Sequence, residues 1–426
     1  MNLNTSIVPH LTTALQGPLQ ELETHLLAQQ TQIEQWFRQQ WQHCQVPFYA
    51  SVDLRNAGFK LAPVDTNLFP AGFNNLNPAF LSLCVQAAQT AMERIAPNAL
   101  RILIIPENHN RNQYYWESVA QLKTIFQIAG YEARIGSLDK NIVRPLDIPV
   151  KGEQVITVEP VLREGNKLGL KDFQPCLILL NNDLSGGHPE ILEGLQQLII
   201  PDLKLGWNTR LKSNHFSCYR EVAQEFGQQI EIDPWLIDPL FKNCGEVDFM
   251  KKEGIECLMD NVDSLLAAIR RQYRRYQVDY PPFVIVKADA GSYGMGVMTV
   301  HNAEEIRSLN RKQRTKMNST KEGQKVKKVI IQEGVYTFET WGPQQAVAEP
   351  VVYMIDRFVV GGFYRVHKAR GINENLNAPG MYFEPLAFVT ACCPETHQAP
   401  DAEPNRFYSY GVIARLALLA AARELS

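Results

Sequence analysis

The chain has 426 residues, 45% of them hydrophobic and 20% charged, with a formal net charge of −3. That length exceeds one ordinary hydrophobic core and predicts two or three subdomains, while the composition excludes a disordered chain. A net acidic chain lacks the basic bias of a dedicated nucleic-acid binder, and no apolar run approaches the ~18 residues of a membrane span. The eight cysteines, at 44, 84, 176, 218, 244, 257, 392 and 393, contain no C-x-x-C pair. They read as thiols of a reducing compartment, and the N-terminus lacks the basic-then-apolar order of a signal peptide, so a soluble cytoplasmic protein is expected.

Leu11, Leu15, Leu19, Leu22, Leu26, Ile33, Trp36 and Phe37 recur at helical spacing in a Gln-rich background and predict amphipathic helices over 10–43. Residues 46–78 crowd Pro, Gly, Asn and Asp around short apolar pieces and read as a long loop, functional or mobile. A helix follows Pro78 as far as Arg94. Strand 101–105, helix 113–129, strands 131–135 and 177–180, helix 189–199 and a short strand near 203–207 then alternate, which implies a mainly parallel sheet covered by helices. A second segment begins near Gly206, with helices over 213–227 and 261–276. Residues 304–328 carry a basic run with almost no aromatics. The run is either a solvated helix and loop or a nucleic-acid surface, and the missing stacking residues favour the first. Residues 329–333 read as a strand, 347–354 and 357–366 as an antiparallel pair turned at Asp356, and 410–424 as a terminal helix.

Between these lies the most informative stretch, 282–300. Two β-branched runs flank a loop with Gly291, Gly294 and Gly296, and Lys287 ends the first run. Glycines let backbone N–H groups approach an anion without a Cβ in the way and tolerate positive φ. The spacing is not a P-loop, because no Gly-Lys-Ser/Thr opens a helix. Taken alone, the hairpin is a phosphate lid or a solvent turn beside a chance lysine.

Residues 284–300 resemble the central hairpin of the ATP-grasp superfamily of carboxylate–amine ligases, which includes glutathione synthetase. Residues 101–106 with the helix after them, Gly130-Tyr131-Glu132, and Leu177-Ile178-Leu179-Leu180-Asn181-Asn182-Asp183 are similar to the glutathione-synthetase N-terminal domain. The block from Ser51-Val52-Asp53-Leu54-Arg55 through Val64-Asp65-Thr66-Asn67-Leu68-Phe69-Pro70 to Gly72-Phe73-Asn74-Asn75 resembles the signature of the proteobacterial glutamate–cysteine ligase family built on an ATP-grasp fold. The likeness spans most of 45–390. It implies an α/β chain in four parts: a helical arm with a loop-rich substrate segment (1–98), a parallel pre-ATP-grasp domain (99–205), a first ATP-grasp lobe with the glycine lid (206–300), and a second lobe with the C-terminal helix (301–426).

The resemblance also implies ATP with Mg²⁺, or Mn²⁺, as cofactor. Lys212 and Lys287 would hold polyphosphate, beneath a lid of Gly291, Ser292, Tyr293, Gly294, Met295 and Gly296. Gln332, Glu333 and Val335 would form the adenine hinge, with Glu339 at the ribose. Arg365 would face the acyl phosphate, where a fixed donor aimed at developing charge is worth roughly 3–4 kcal/mol. In many superfamily members an Asp, a Glu and an Asn near the C-terminus hold the metal, with Glu and Asn on one strand. This chain departs from that pattern, having only a polar linker and one helix after Cys393. Glu349, Glu374, Asn375 and Asn377 are the substitutes; Asn375 and Asn377 share a face if the segment is extended, though it reads equally as a polar turn. Asp53, Arg55, Lys60, Asp65, Asn67 and Asn74 combine the acid and base types that grip an amino acid, or else satisfy the backbone of an irregular loop.

The expected reaction joins the γ-carboxylate of L-glutamate to L-cysteine through an acyl phosphate, releasing ADP and phosphate. Glutathione synthetase, another amino-acid ligase, or a nucleotide-binding module without activity are the rivals. Partners are small molecules, without nucleic acid or membrane, and a homo-oligomer remains open.

Overall fold

The computed structural model describes residues 11–12, 17–108, 112–152, 154–291, 296–318, 328–385 and 407–425. It is a mixed α/β chain built on three large sheets. The first has six strands in the order Leu198–Ile200, Leu177–Asn181, Arg101–Pro106, Glu132–Ser137, Val155–Pro160 and Leu146–Pro149. All pairs are parallel except the last. Ile102 and Ile104 join one hydrophobic core while Leu103 and Ile105 join the other, because a strand covered on both faces sends alternate residues to opposite layers. Helices Leu81–Ile95 and Gln113–Ile128 cover one face.

The second sheet is antiparallel, in the order Phe241–Glu246, Lys328–Glu333, Val284–Ala288 and Val297–Val300. The expected glycine-loop hairpin is present, pairing Lys287 with Val297. Helix Ile255–Arg275 packs on it through Leu258, Val262, Leu265, Leu266 and Ile269, a stripe at helical spacing.

The third sheet has seven strands. Ala346–Ile355 pairs with Phe358–His367 around Asp356, at φ 50°, and Phe358–His367 pairs in turn with Met381–Pro385. On its other edge Ala346–Ile355 pairs with Tyr49–Asn56, which pairs with Leu61–Asn67. Residues 46–78 are therefore not one long loop: 49–67 form a hairpin inside the sheet of the C-terminal half, and the boundary expected at 98 does not separate them. The turn is made by Gly58, at φ 73°, whose N–H donates to Asn56 Oδ1. Most residues of both strands are buried, so the alternation that marks a half-exposed strand is missing.

The terminal helix, Phe407–Arg423, is buried along its length from Tyr408 to Ala422, lying between helix Lys212–Ile230 and this third sheet. Two smaller expectations also change. Residues 189–199 form a single 3₁₀ turn, Glu190–Leu192, and then the edge strand, interrupted by Gly194 at φ 66°. Residues 203–205 form a 3₁₀ turn, with Asp202 accepting from Lys204 N–H, rather than a strand. No helix among the described residues is long and apolar enough to cross a membrane.

Candidate active site

A cleft of about 690 Å³ separates the second sheet from the third. Ile285, Lys287 and Val297 of the hairpin, with Gln332, Glu333 and Val335, form one wall; Asp53, Arg55, Asp65, Glu349 and Arg365 form the other. Lys287 Nζ donates to the Val64 carbonyl at 2.7 Å and to Gln332 Oε1 at 2.8 Å. Burial pulls its pKa down to about 8, with Asp65 opposing and Lys212 adding to the depression. Gln332 has its oxygen fixed by that lysine, and its buried Nε2 has no partner among the described residues. Lys212 Nζ lies 2.6 Å from Asp65 Oδ1 and 4.1 Å above the Trp207 ring. Burial alone would raise the Asp65 pKa, but Lys212 and Lys287 hold it well below the carboxylate range.

Helix Lys212–Ile230 begins without a side-chain cap of its own. Asp289, at the end of the lid's first strand, supplies it: its backbone carbonyl accepts from Lys212 N–H, and its carboxylate accepts from the N–H and hydroxyl of Ser213. The two lysines are thus fixed relative to each other by one buried aspartate.

A second cavity, about 1070 Å³, lies between the third sheet and the start of helix Gln113–Ile128. Both cavities share Asp53, Asp65, Arg365 and Asn377 as a common wall. Asp53 and Asp65 are cross-strand partners, as are Ser51 and Asn67, so the four sit together on one hairpin. Arg365 Nη1 lies 2.8 Å from Asp53 Oδ2 and 2.6 Å from Glu349 Oε1. Burial opposes its charge, yet the two carboxylates raise its pKa, so the guanidinium is permanently cationic. Its Nε is buried and has no partner among the described residues. Burial raises the pKa of Asp53, partly offset by Arg365.

Several expected site residues take other positions. Lys60 is 0% exposed, with Nζ 2.7 Å from Glu333 Oε2 and 4.4 Å above the Trp235 ring, so it is not presented to a ligand. Glu333 lines the cleft, but its carboxylate is consumed by Lys60, Trp235 Nε1 and the Leu240 N–H. Arg55 is engaged through all three nitrogens, by Glu349 and by the carbonyls of Val335 and Glu374; it staples the walls rather than reaching for a carboxylate. Glu339 is buried against the hydroxyls of Tyr364 and Tyr410, away from both cavities. The Glu374 carboxylate closes its own turn, on Gly371 N–H and Arg370, while Asn375 and Asn377 do line the cleft. Asn67 and Asn74 line the second cavity. Gly291 and Gly296 adopt φ of 100° and 64°, which glycine alone takes readily; Ser292, Tyr293, Gly294 and Met295 lie outside the described residues.

Sequence reasoning missed Asp289, Trp207, Asn112, Tyr115, Tyr353, Phe363, Met381 and Phe383, all at or beside the cavities. The alternation Glu349, Val351, Tyr353 on one strand was the available signal.

For the metal, the chemistry of the donors is the test. Among the described residues no group of three or more His, Cys, Asp or Glu is arranged to hold an ion alone. Mg²⁺, however, commonly needs one or two carboxylates beside substrate phosphates. Asp65 and Asn67 stand two apart on one strand opposite Asp53, offering hard oxygens where the cavities meet. The spacing of an acid and an Asn two apart on one strand thus occurs at 65–67.

The two cavities share a charged wall, and Lys287 lies on the side of the first alone. The glutamate-cysteine ligase family model matches residues 23–425. A crystal structure of a "Putative gamma-glutamylcysteine synthetase" from Methylobacillus flagellatus KT is 61% identical, with 99% of each chain covered and a TM-score of 0.90. A glutathione synthetase-like effector from Globodera pallida (9% identity, 86% of this chain and 80% of that one, TM-score 0.35) is too distant in shape to bear on the fold. The same holds for a D-alanyl-alanine synthetase A from Vibrio cholerae O1 biovar eltor str. N16961 (11%, 74% and 80%, 0.32). No curated protein matches. The chain belongs to the glutamate–cysteine ligase family.

Proposed function

We propose that this ligase binds MgATP in the 690 Å³ cleft and its amino acids in the 1070 Å³ cavity, and transfers the γ-phosphoryl group across their shared wall. The observation that carries the reading is that Asp53, Asp65, Arg365 and Asn377 belong to both cavities. In the ATP-grasp arrangement so proposed, the second and third sheets are the jaws and residues 291–296 the lid.

Lys287 and Lys212 would hold polyphosphate oxygens, and the Gln332 amide offers a donor to the base. The Arg365 guanidinium, fixed by Asp53 and Glu349, keeps Nε–H for the γ-carboxylate of glutamate as it becomes an acyl phosphate. Asp53, Asp65 and Asn67 would hold Mg²⁺, which supplies charge neutralisation on the phosphates. The cysteine amine then attacks the acyl carbon and phosphate leaves, giving γ-glutamylcysteine, ADP and phosphate. Lid closure excludes the water that would hydrolyse the intermediate. The free thiols of Cys44, Cys84, Cys176, Cys218, Cys244 and Cys257 fit a reducing, cytoplasmic setting for this step of glutathione biosynthesis.

Incubation of the protein with MgATP and pairs of amino acids tests the reading, with phosphate release expected for glutamate plus cysteine. Pyrophosphate and AMP among the products would exclude an acyl phosphate. Asp65→Asn is expected to raise the Mg²⁺ concentration needed for half-maximal rate; an unchanged requirement would remove Asp65 from the metal.

A further inference from the structure

The second cavity has two chemically unlike ends, and we infer that its aromatic end receives the side chain of the amine-donating amino acid, small and uncharged. This rests on the two-cavity reading above. One face of the third sheet carries the gradient. Arg365 of the shared wall is the cross-strand partner of Glu349, and two residues along each strand the same face presents Val351 and Phe363. Two residues span about 7 Å of strand, so charged wall and aromatic wall fall within the reach of one amino acid.

The aromatic end is continuous. Ring centroids lie 5.4 Å apart for Tyr353–Phe363 and 4.9 Å for Phe363–Phe383. The Tyr353 hydroxyl donates to the Ala71 carbonyl at 2.5 Å, so its one hydrogen is already committed. A carboxylate seated here would lose water without gaining a partner. A thiol loses little and gains soft contacts with the rings. Arg365 is the one lysine or arginine among the described lining residues, which leaves glutamate's γ-carboxylate at the shared wall. Gly72 keeps the aromatic end open: at φ 120°, a Cβ there would meet Tyr353 Oη at 2.7 Å.

Phe383→Ala and the milder Phe383→Leu are the test, since Phe383 is only half-buried on an edge strand and the fold should tolerate both. Steady-state phosphate release is expected to show KM for cysteine raised about tenfold or more, KM for glutamate and ATP within twofold, and improved relative kcat/KM for longer uncharged acceptors such as norvaline. A rise in KM for glutamate alone would give the wall to the acyl donor and overturn the proposal. Unchanged constants, or equal losses for all three substrates, would overturn it as well. Calorimetric titration of cysteine into wild type and Phe383→Ala reads the subsite without turnover: weakened cysteine binding supports it, and identical binding refutes it. A wild type that releases no phosphate with glutamate and cysteine would instead defeat the ligase reading.

Discussion

Lys287 keeps a positive charge where burial disfavours one. A pKa near 8 means that its free-enzyme charge disappears over the mildly alkaline range. If that charge binds polyphosphate, kcat/KM for ATP falls as pH rises through about 8, and Lys287→Arg moves the alkaline limb to higher pH. A profile flat to pH 10 would sink the assignment. The stability contribution runs the other way: between about 8 and the ordinary 10.5 the unfolded chain binds the proton and the folded one does not, so this group makes stability rise with pH there. Activity and stability titrating in opposite directions separate a ligand contact from a structural one. Lys60 is the contrasting lysine. Its fully buried pair with Glu333 makes Lys60→Met cost about 3–5 kcal/mol in denaturant unfolding, because a carboxylate is left without its cation. Lys60→Met with Glu333→Gln should recover part of that loss. A fully stable Lys60→Met whose only defect is KM for glutamate would restore Lys60 to the substrate.

The element that organises the site is the 49–67 hairpin, and the end of the C-terminal helix holds it in place. Arg210 donates to the Thr66 carbonyl at 2.6 Å, between Asp65 and Asn67, and forks onto Glu424 at 2.8 and 2.9 Å. His215 Nδ1 meets the same carboxylate at 2.6 Å. Burial lowers the His215 pKa, so the ring is neutral and Arg210 is the principal counter-charge. Burial alone would raise the Glu424 pKa, but Arg210 and His215 draw it from 4.5 to about 2. The stability this gives is present above pH 4.5 and is lost as pH falls toward 2, on the order of 3 kcal/mol. Glu424→Gln is therefore expected to flatten the acid limb of the stability profile. It should also lower kcat, because Thr66 loses a fixed anchor beside the metal candidates. An acid-unfolding midpoint identical to wild type would show that the fork contributes nothing.

For the whole molecule, the shared wall makes a prediction that neither cavity makes alone. Arg365 belongs to both, so Arg365→Ala is expected to lower kcat by two to three orders of magnitude, about 3–4 kcal/mol, whichever substrate is varied. Asp53 and Glu349 would then face each other without their common cation, so thermal unfolding must accompany the kinetics. An effect confined to KM for ATP would place Arg365 on the nucleotide side only. The Arg365 effect should persist in Arg365→Lys, since a single ammonium cannot bridge two carboxylates and keep a further aligned donor.

The alternating β/α order of residues 101–181, the Lys287 hairpin and the 346–367 strand pair were legible in the sequence, because each follows from local periodicity and turn chemistry. The 51–75 signature was legible as a family mark, though not as a pair of strands: most of its residues are buried, so no alternation marked them. Tertiary structure alone decided which of its polar residues face the cavities. Arg55, Lys60 and Asp65 look equivalent on one short stretch, yet Lys60 is sealed against Glu333, Arg55 is spent on two carbonyls and Glu349, and only Asp65 opens to both cavities. An acid and an Asn two apart on one strand occur at 65 and 67, and the hairpin that carries them joins the sheet of the C-terminal half because strand 49–56 pairs with strand 346–355 nearly 300 residues away. Local pattern fixes which residues form a strand; long-range register fixes what its side chains face.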